Sequence, residues 1–320
     1  MKKHLLLSVS FLFLNTLLMP ASAMENGFDA PKDGRTLALS NLQMGKVGTG
    51  FLYSERIVLT CGHCLFAGPN SNVFISDLRV SFPNIVYTAQ SEKLKTVKKF
   101  LARDWEPRNE KNFSPRGDFG ILILEKPIPV TGNTLIATKD EVEAMKANRT
   151  LITNVAYGRQ SFEHGFNGET APKYAEFPLV PDAELQEVVE RNKRGNWITG
   201  DYHMNVNVLQ KPGGPSTCSG DSGSPLYVRK GDDFIYLGPL ANGMGGMPNC
   251  SGKPWESEVM YVGASAAYDY LDLIKEAEDY VKANPYVAPV IKKSIKCVKG
   301  KKFIKVRNEN PTCPKGYKQK

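Results

Sequence analysis

Beyond its first two dozen residues this sequence has no apolar run approaching the roughly 20 residues that a membrane-spanning helix needs. It shows no internal self-similarity at periods of roughly 20 to 50 residues, which excludes a solenoid or propeller array. It also lacks the regular alternation of strands and helices that a parallel α/β sheet requires. Cysteine is sparse, at six in 320 residues. Hydrophobic content is 41%, an ordinary value for a folded chain and too high for a disordered one.

What is present begins with a leader. Lys2 and Lys3 open the chain, the stretch from Leu5 to Leu18 is mostly apolar, and Ala21-Ser22-Ala23 offers small residues for cleavage. That is the pattern of a secretory signal peptide over residues 1–23. Asn15 and Pro20 interrupt it, which argues against a membrane anchor. The mature chain is therefore expected to begin at Met24, to be exported (periplasmic or secreted) and to be large enough for a substantial core. In an exported chain six cysteines read as three disulfides. Sequence leaves many pairings open; neighbours along the chain are the expected partners, Cys61–Cys64, Cys218–Cys250 and Cys297–Cys313.

The net charge of +8 is not a property of the whole molecule. Residues 292–320 alone carry ten Lys and one Arg against one Glu, a local +10; setting these and the two leader lysines aside leaves the body at −4. The basic character belongs to a tail.

Between about residues 40 and 265, short β-rich runs alternate with Gly, Pro and Asn, as in a sandwich or barrel. Strands are expected at Gly50–Leu52, Arg56–Thr60, Asn72–Ile75, Gly120–Leu124, Leu151–Val155 and Phe234–Leu237. Helices are expected at Asp140–Ala147, which starts with acidic residues, and at Ala264–Lys282. In the second, Tyr268, Leu271, Ile274, Ala277 and Val281 recur at helical spacing before Pro285 ends the run. Residues 284–290 then read as a linker.

Two readings compete for Val58-Leu59-Thr60-Cys61-Gly62-His63-Cys64. Cys61-Gly62-His63-Cys64 is the active-site tetrapeptide of disulfide isomerases, yet the strand–helix alternation of that fold is missing. The same stretch resembles the histidine box of chymotrypsin/trypsin-like serine proteases. Gly220-Asp221-Ser222-Gly223-Ser224-Pro225 resembles that family's nucleophile loop, and Asp118 heads an apolar strand as the family's triad aspartate does. The order His63, Asp118, Ser222 is the chymotrypsin order. Residues 155–161 and 173–181 resemble further family segments, so the likeness spans about residues 24–283.

The resemblance implies an all-β fold of two antiparallel six-stranded barrels, with a C-terminal helix and a small basic, disulfide-containing tail. A protease domain at 24–285 would precede a linker and tail at 286–320. It implies a bacterial secreted endopeptidase in which Ser222 is nucleophile, His63 general base and acid, and Asp118 the orienting carboxylate. The Gly220 and Ser222 amides would form the oxyanion hole, Ser216, Thr217 and Gly243 the specificity pocket. Ser216 stands where trypsin-like enzymes carry a specificity aspartate, so the pocket is expected to be uncharged. Asp221 would pair with a new α-amino group at Met24, made by signal cleavage itself.

Two departures stand out. The usual cysteine partner of Cys64 is replaced by Gly48 or Thr49, and Cys61 lies across His63 instead, as a bridge or a redox switch. Zinc at Cys61, His63 and Cys64 is disfavoured for want of a fourth ligand. No cofactor or metal is expected; the expected partners are protein or peptide substrates, without specific nucleic acid, and the chain is expected to be a monomer. Residues 292–320 resemble a small basic module whose charge could meet an anionic surface. The rival reading is a protease-like binding protein without activity.

Overall fold

A computed structural model describes residues 24–41, 45–67, 71, 73–158, 169–195, 200–245, 259–288 and 293–320. The leader and Cys250 lie outside the described residues. The chain divides into two units, Met1–Val281 and Lys282–Lys320.

In the first unit a short strand β1 (Phe28–Asp29) precedes β2 (Thr36–Asn41), β3 (Gly45–Ser54), β4 (Ile57–Thr60), β5 (Leu78–Ser81), β6 (Lys93–Leu101) and β7 (Gly120–Leu124). Strands β2 to β7 close into a six-stranded barrel in the order β2-β3-β4-β7-β6-β5. The run Gly120–Leu124 is apolar throughout because it is buried on both faces. Leu122 and Leu124 point into the barrel with Leu37, Leu52 and Val58. Ile121 and Ile123 point outward, beneath Leu273, Ile274 and Ala277 of a C-terminal helix. Burying each Leu or Ile of that helix contributes about 1.5–3 kcal/mol.

The second half of this unit holds β8 (Thr134–Ile136), β9 (Leu151–Ala156), β10 (Lys173–Pro178), β11 (Val206–Gln210), β12 (Pro225–Lys230), β13 (Asp233–Gly245) and β14 (Met260–Ala264). They form an eight-stranded sheet in the order β1-β10-β9-β12-β13-β14-β11, with β8 beside β13. This differs from a six-stranded closed barrel. The sheet curls until Leu179, just past β10, bridges Val208 in β11, and Val180 N–H donates to the Asn207 carbonyl at 2.8 Å. Pro178 and Pro181 bracket that contact and have no N–H to extend a ladder.

Helix α1 (Lys139–Ala147) forms where acidic residues signalled a start, with Thr138 and Glu141 making a reciprocal capping box. Helix α2 (Asp182–Arg194) was not anticipated: only Leu185 and Val188 are buried, so its apolar stripe is thin. The last helix begins later than expected. Ala264 ends β14, a 3₁₀ turn covers Ala267–Tyr270, and α3 runs Leu271–Ala283. The expected strand at Asn72–Ile75 is not one. Asn72 lies outside the described residues, and Phe74 makes only a single bridge to Phe66, whose ring it stacks on.

The second unit carries β15 (Lys293–Lys299), β16 (Lys302–Asn308) and β17 (Lys318–Gln319), a three-stranded sheet closed by Cys297–Cys313. Register separates its faces. Ile295, Val306, Cys297 and Ile304 share one; Lys296, Lys305, Arg307, Val298, Phe303 and Lys318 share the other.

Candidate active site

The first barrel contributes His63 and Asp118. Strand β4 ends at Thr60, and a 3₁₀ turn over His63–Leu65 follows at once, spanned by the Cys61–Cys64 disulfide. Asp118 lies two residues before β7 and is fully buried. Both its oxygens serve His63. Oδ1 accepts the His63 backbone N–H at 2.7 Å, and Oδ2 meets the ring Nδ1 at 2.7 Å. This two-point clasp fixes both the residue and its ring, and it assigns the Nδ1 proton to the side facing Asp118. Nε2 is left to exchange a proton; its nearest bonded neighbour is Cys61 Sγ at 3.6 Å. Burial alone would lower the imidazole pKa. The Asp118 charge and hydrogen bond outweigh it, so His63 stands above its ordinary 6.5.

The second half contributes the loop before β12. Asp221 is fully buried at its centre. Its Oδ2 accepts from Cys218 N–H and its Oδ1 from Gly158 N–H, each at 2.6 Å. Burial pushes the carboxyl up to about 7, against the two amides and the Lys46 charge, which pull it down. Gly158 has no room for a side chain: a Cβ there would collide with the Asp221 carboxylate. Gly220 and Gly223 both hold left-handed φ, +91° and +82°, so the chain turns sharply on either side of Ser222. Neither the Gly220 nor the Ser222 amide donates to another protein group among the described residues.

Thr49, from β3, ties this loop to the first barrel. Its N–H donates to Ser222 O at 2.8 Å, and its hydroxyl donates to Gly220 O at 3.2 Å while accepting Tyr157 N–H at 3.0 Å. Thr60 Oγ1 in turn donates to Thr49 O at 2.8 Å. A Cβ added at Gly48 would lie 3.1 Å from both Cys64 Sγ and Ser222 O, so the serine backbone packs against the histidine turn. Ser222 O thus lies near the histidine turn, and among the described residues the Ser222 hydroxyl makes no hydrogen bond to His63 Nε2.

A cavity of about 160 Å³ opens next to Ser222, lined by Thr217, Cys218, Leu240, Gly243, Met260 and Val262 among others, none of them charged. Of the residues expected in a specificity pocket, Thr217 and Gly243 line this cavity. Ser216 is not: it is buried away from the cavity and pairs with Glu25 through two backbone hydrogen bonds of 2.9 Å. Met260 and Val262 were missed, because only the β13–β14 register brings them opposite Gly245 and Gly243. The Met24 side chain is buried in the core of the second sheet. Lys46, Thr49 and Gly158 were missed as well. A lone lysine in an otherwise small and apolar stretch of β3 was the one available signal.

Cys218 is oxidised, while its expected partner Cys250 lies outside the described residues. Cys61, His63 and Cys64 gather their donor atoms within 4.8 Å of one another. They do not suit a metal, because the two sulfurs are bonded together and offer no thiolate.

Comparison with known proteins agrees with this geometry. The family described as Trypsin matches residues 26–249. The chain is 22% identical over 200 residues to the serine proteinase stubble of Drosophila melanogaster, over 61% of this chain and 24% of that protein. It thus spans about a quarter of the length of that relative.

Proposed function

Because the chain belongs to the trypsin family, we propose that it is an exported bacterial serine endopeptidase working through an acyl-enzyme. Ser222 Oγ attacks the scissile carbonyl carbon as His63 Nε2 takes its proton. The Gly220 and Ser222 amides receive the carbonyl oxygen as it becomes an oxyanion, worth roughly 3–4 kcal/mol per donor. His63 then returns the proton to the leaving amine, and water repeats the cycle on the ester. Asp118 holds the ring in the required tautomer and stabilises the imidazolium.

The observation that carries this reading is the two-point clasp of Asp118 on His63, with Ser222 lining an uncharged cavity in the other half. Contacts between a nucleophile and its base often tighten only when substrate binds. The uncharged cavity favours an apolar side chain before the cleaved bond; a Lys or Arg there would leave its charge unpaired. Oxidised Cys61–Cys64 and Cys297–Cys313 support export. In the tail, a sheet face bearing Lys296, Lys305, Arg307 and Lys318 around exposed Phe303 would hold the enzyme on an anionic surface.

A fluorophosphonate should label the protein once, at Ser222, with labelling abolished in Ser222→Ala. The missing Ser222–His63 hydrogen bond favours a second reading, an inactive binding protein of the same fold. That reading wins if wild type takes no label.

A further inference from the structure

Asp221 sits beneath the oxyanion loop, shut away from water, and its two hydrogen bonds come from neutral peptide groups. A carboxylate so buried needs a cation nearby to stay charged. In the uncut chain Met24 carries a peptide nitrogen and no ammonium; its side chain lies in the sheet core, and Gly27 N–H turns back onto Met24 O. A different cation is already in place. Lys46 is 2% exposed, and its Nζ donates to Gly158 O at 2.8 Å and to Thr170 Oγ1 at 3.1 Å. The same Gly158 donates its N–H to Asp221 Oδ1. Ammonium and carboxylate therefore grip one glycine from its two ends, at a position where a Cβ would strike the Asp221 carboxylate.

We propose that Lys46 is a positioning residue: its ammonium, acting across Gly158, favours the ionised form of Asp221 and holds the Cys218–Ser222 loop folded, so the oxyanion amides stand ready without a newly cut N-terminus. This rests on the endopeptidase reading above. Lys46 touches no substrate; it acts through Asp221 on the amides of Gly220 and Ser222.

The test uses the full chain in two forms, one starting at Met24 and one carrying an uncleavable extension before it. Both should take fluorophosphonate at rates within about threefold. Lys46→Met should lower kcat about 100-fold, the size of losing an oxyanion donor, with KM little changed; Lys46→Arg should recover about tenfold of it. Asp221→Asn should be as slow as Lys46→Met, and the double variant no slower than either. Melting temperatures of the same three variants give a cycle independent of catalysis: coupled residues lose less together than the sum of their separate losses. Lys46→Met labelling as fast as or faster than wild type, an extended form inert until cut, or strictly additive melting losses would each overturn the proposal. If wild type is silent in both forms, the protease reading fails instead, and the melting cycle still decides the role of Lys46.

Discussion

The two halves of the trypsin-family unit hold their proposed catalytic groups by different means. The first barrel is closed, and it presents His63 on a turn that leaves the end of β4 directly and is clasped by Asp118, beside β7, the strand paired with β4. The second half is a curled sheet bridged from Leu179 to Val208, and it presents Ser222 on a loop with no ladder of its own. That loop is held from beneath by a buried carboxylate and from the side by Thr49. A base can be aimed by a rigid strand end. An oxyanion hole needs two free amides, and amides inside a ladder are not free. The loop must therefore be folded by side chains, which makes the second half the more easily broken.

Substitutions at the reacting groups should show the largest effects, whichever half they fall in. Ser222→Ala or His63→Ala should lower kcat by about a millionfold, measured on a chromogenic ester or peptide. Asp118→Asn should cost about 10⁴, since an amide cannot take both His63 protons as the carboxylate does.

Gly158→Ala isolates the second half. Its Cβ would displace the Asp221 carboxylate, so kcat should fall about 100-fold while the chemical shifts of the first barrel away from Lys46 and Thr49 stay as in wild type. Thr49→Val probes the tie between the halves. It leaves Tyr157 N–H without its acceptor, and unfolding in urea should show a loss of about 1–3 kcal/mol. Removing residues 290–320 should leave kcat unchanged and abolish salt-sensitive retention on an anionic matrix.

The same contrast decides what could be read in the sequence. His63, Asp118 and Ser222 were legible because each sits in a short local box next to its own strand. The first barrel was legible where burial on both faces made a continuous apolar run, as in Gly120–Leu124. It was not legible at Lys93–Leu101, a strand with four lysines on or beside its exposed face and only Leu94 and Phe100 buried. The second half was harder. Ser216 was misplaced because a bridge to Glu25, far away in sequence, turns it from the cavity. Met260 and Val262 entered through strand register, and Lys46 through a contact with Gly158 more than a hundred residues on. Such partners leave no local periodicity to read.

The central claim is that three side chains from these two halves form one proton relay. The pH dependence of phosphonylation at Ser222 tests it most directly. The Asp118 carboxylate raises the His63 pKa, so the imidazole stays protonated to a higher pH than a free one. The account predicts a single adduct on Ser222 whose rate climbs with pH through one ionisation above 6.5, and a collapse of that rate in His63→Ala. A rate indifferent to His63, or an adduct on any other residue, would contradict it.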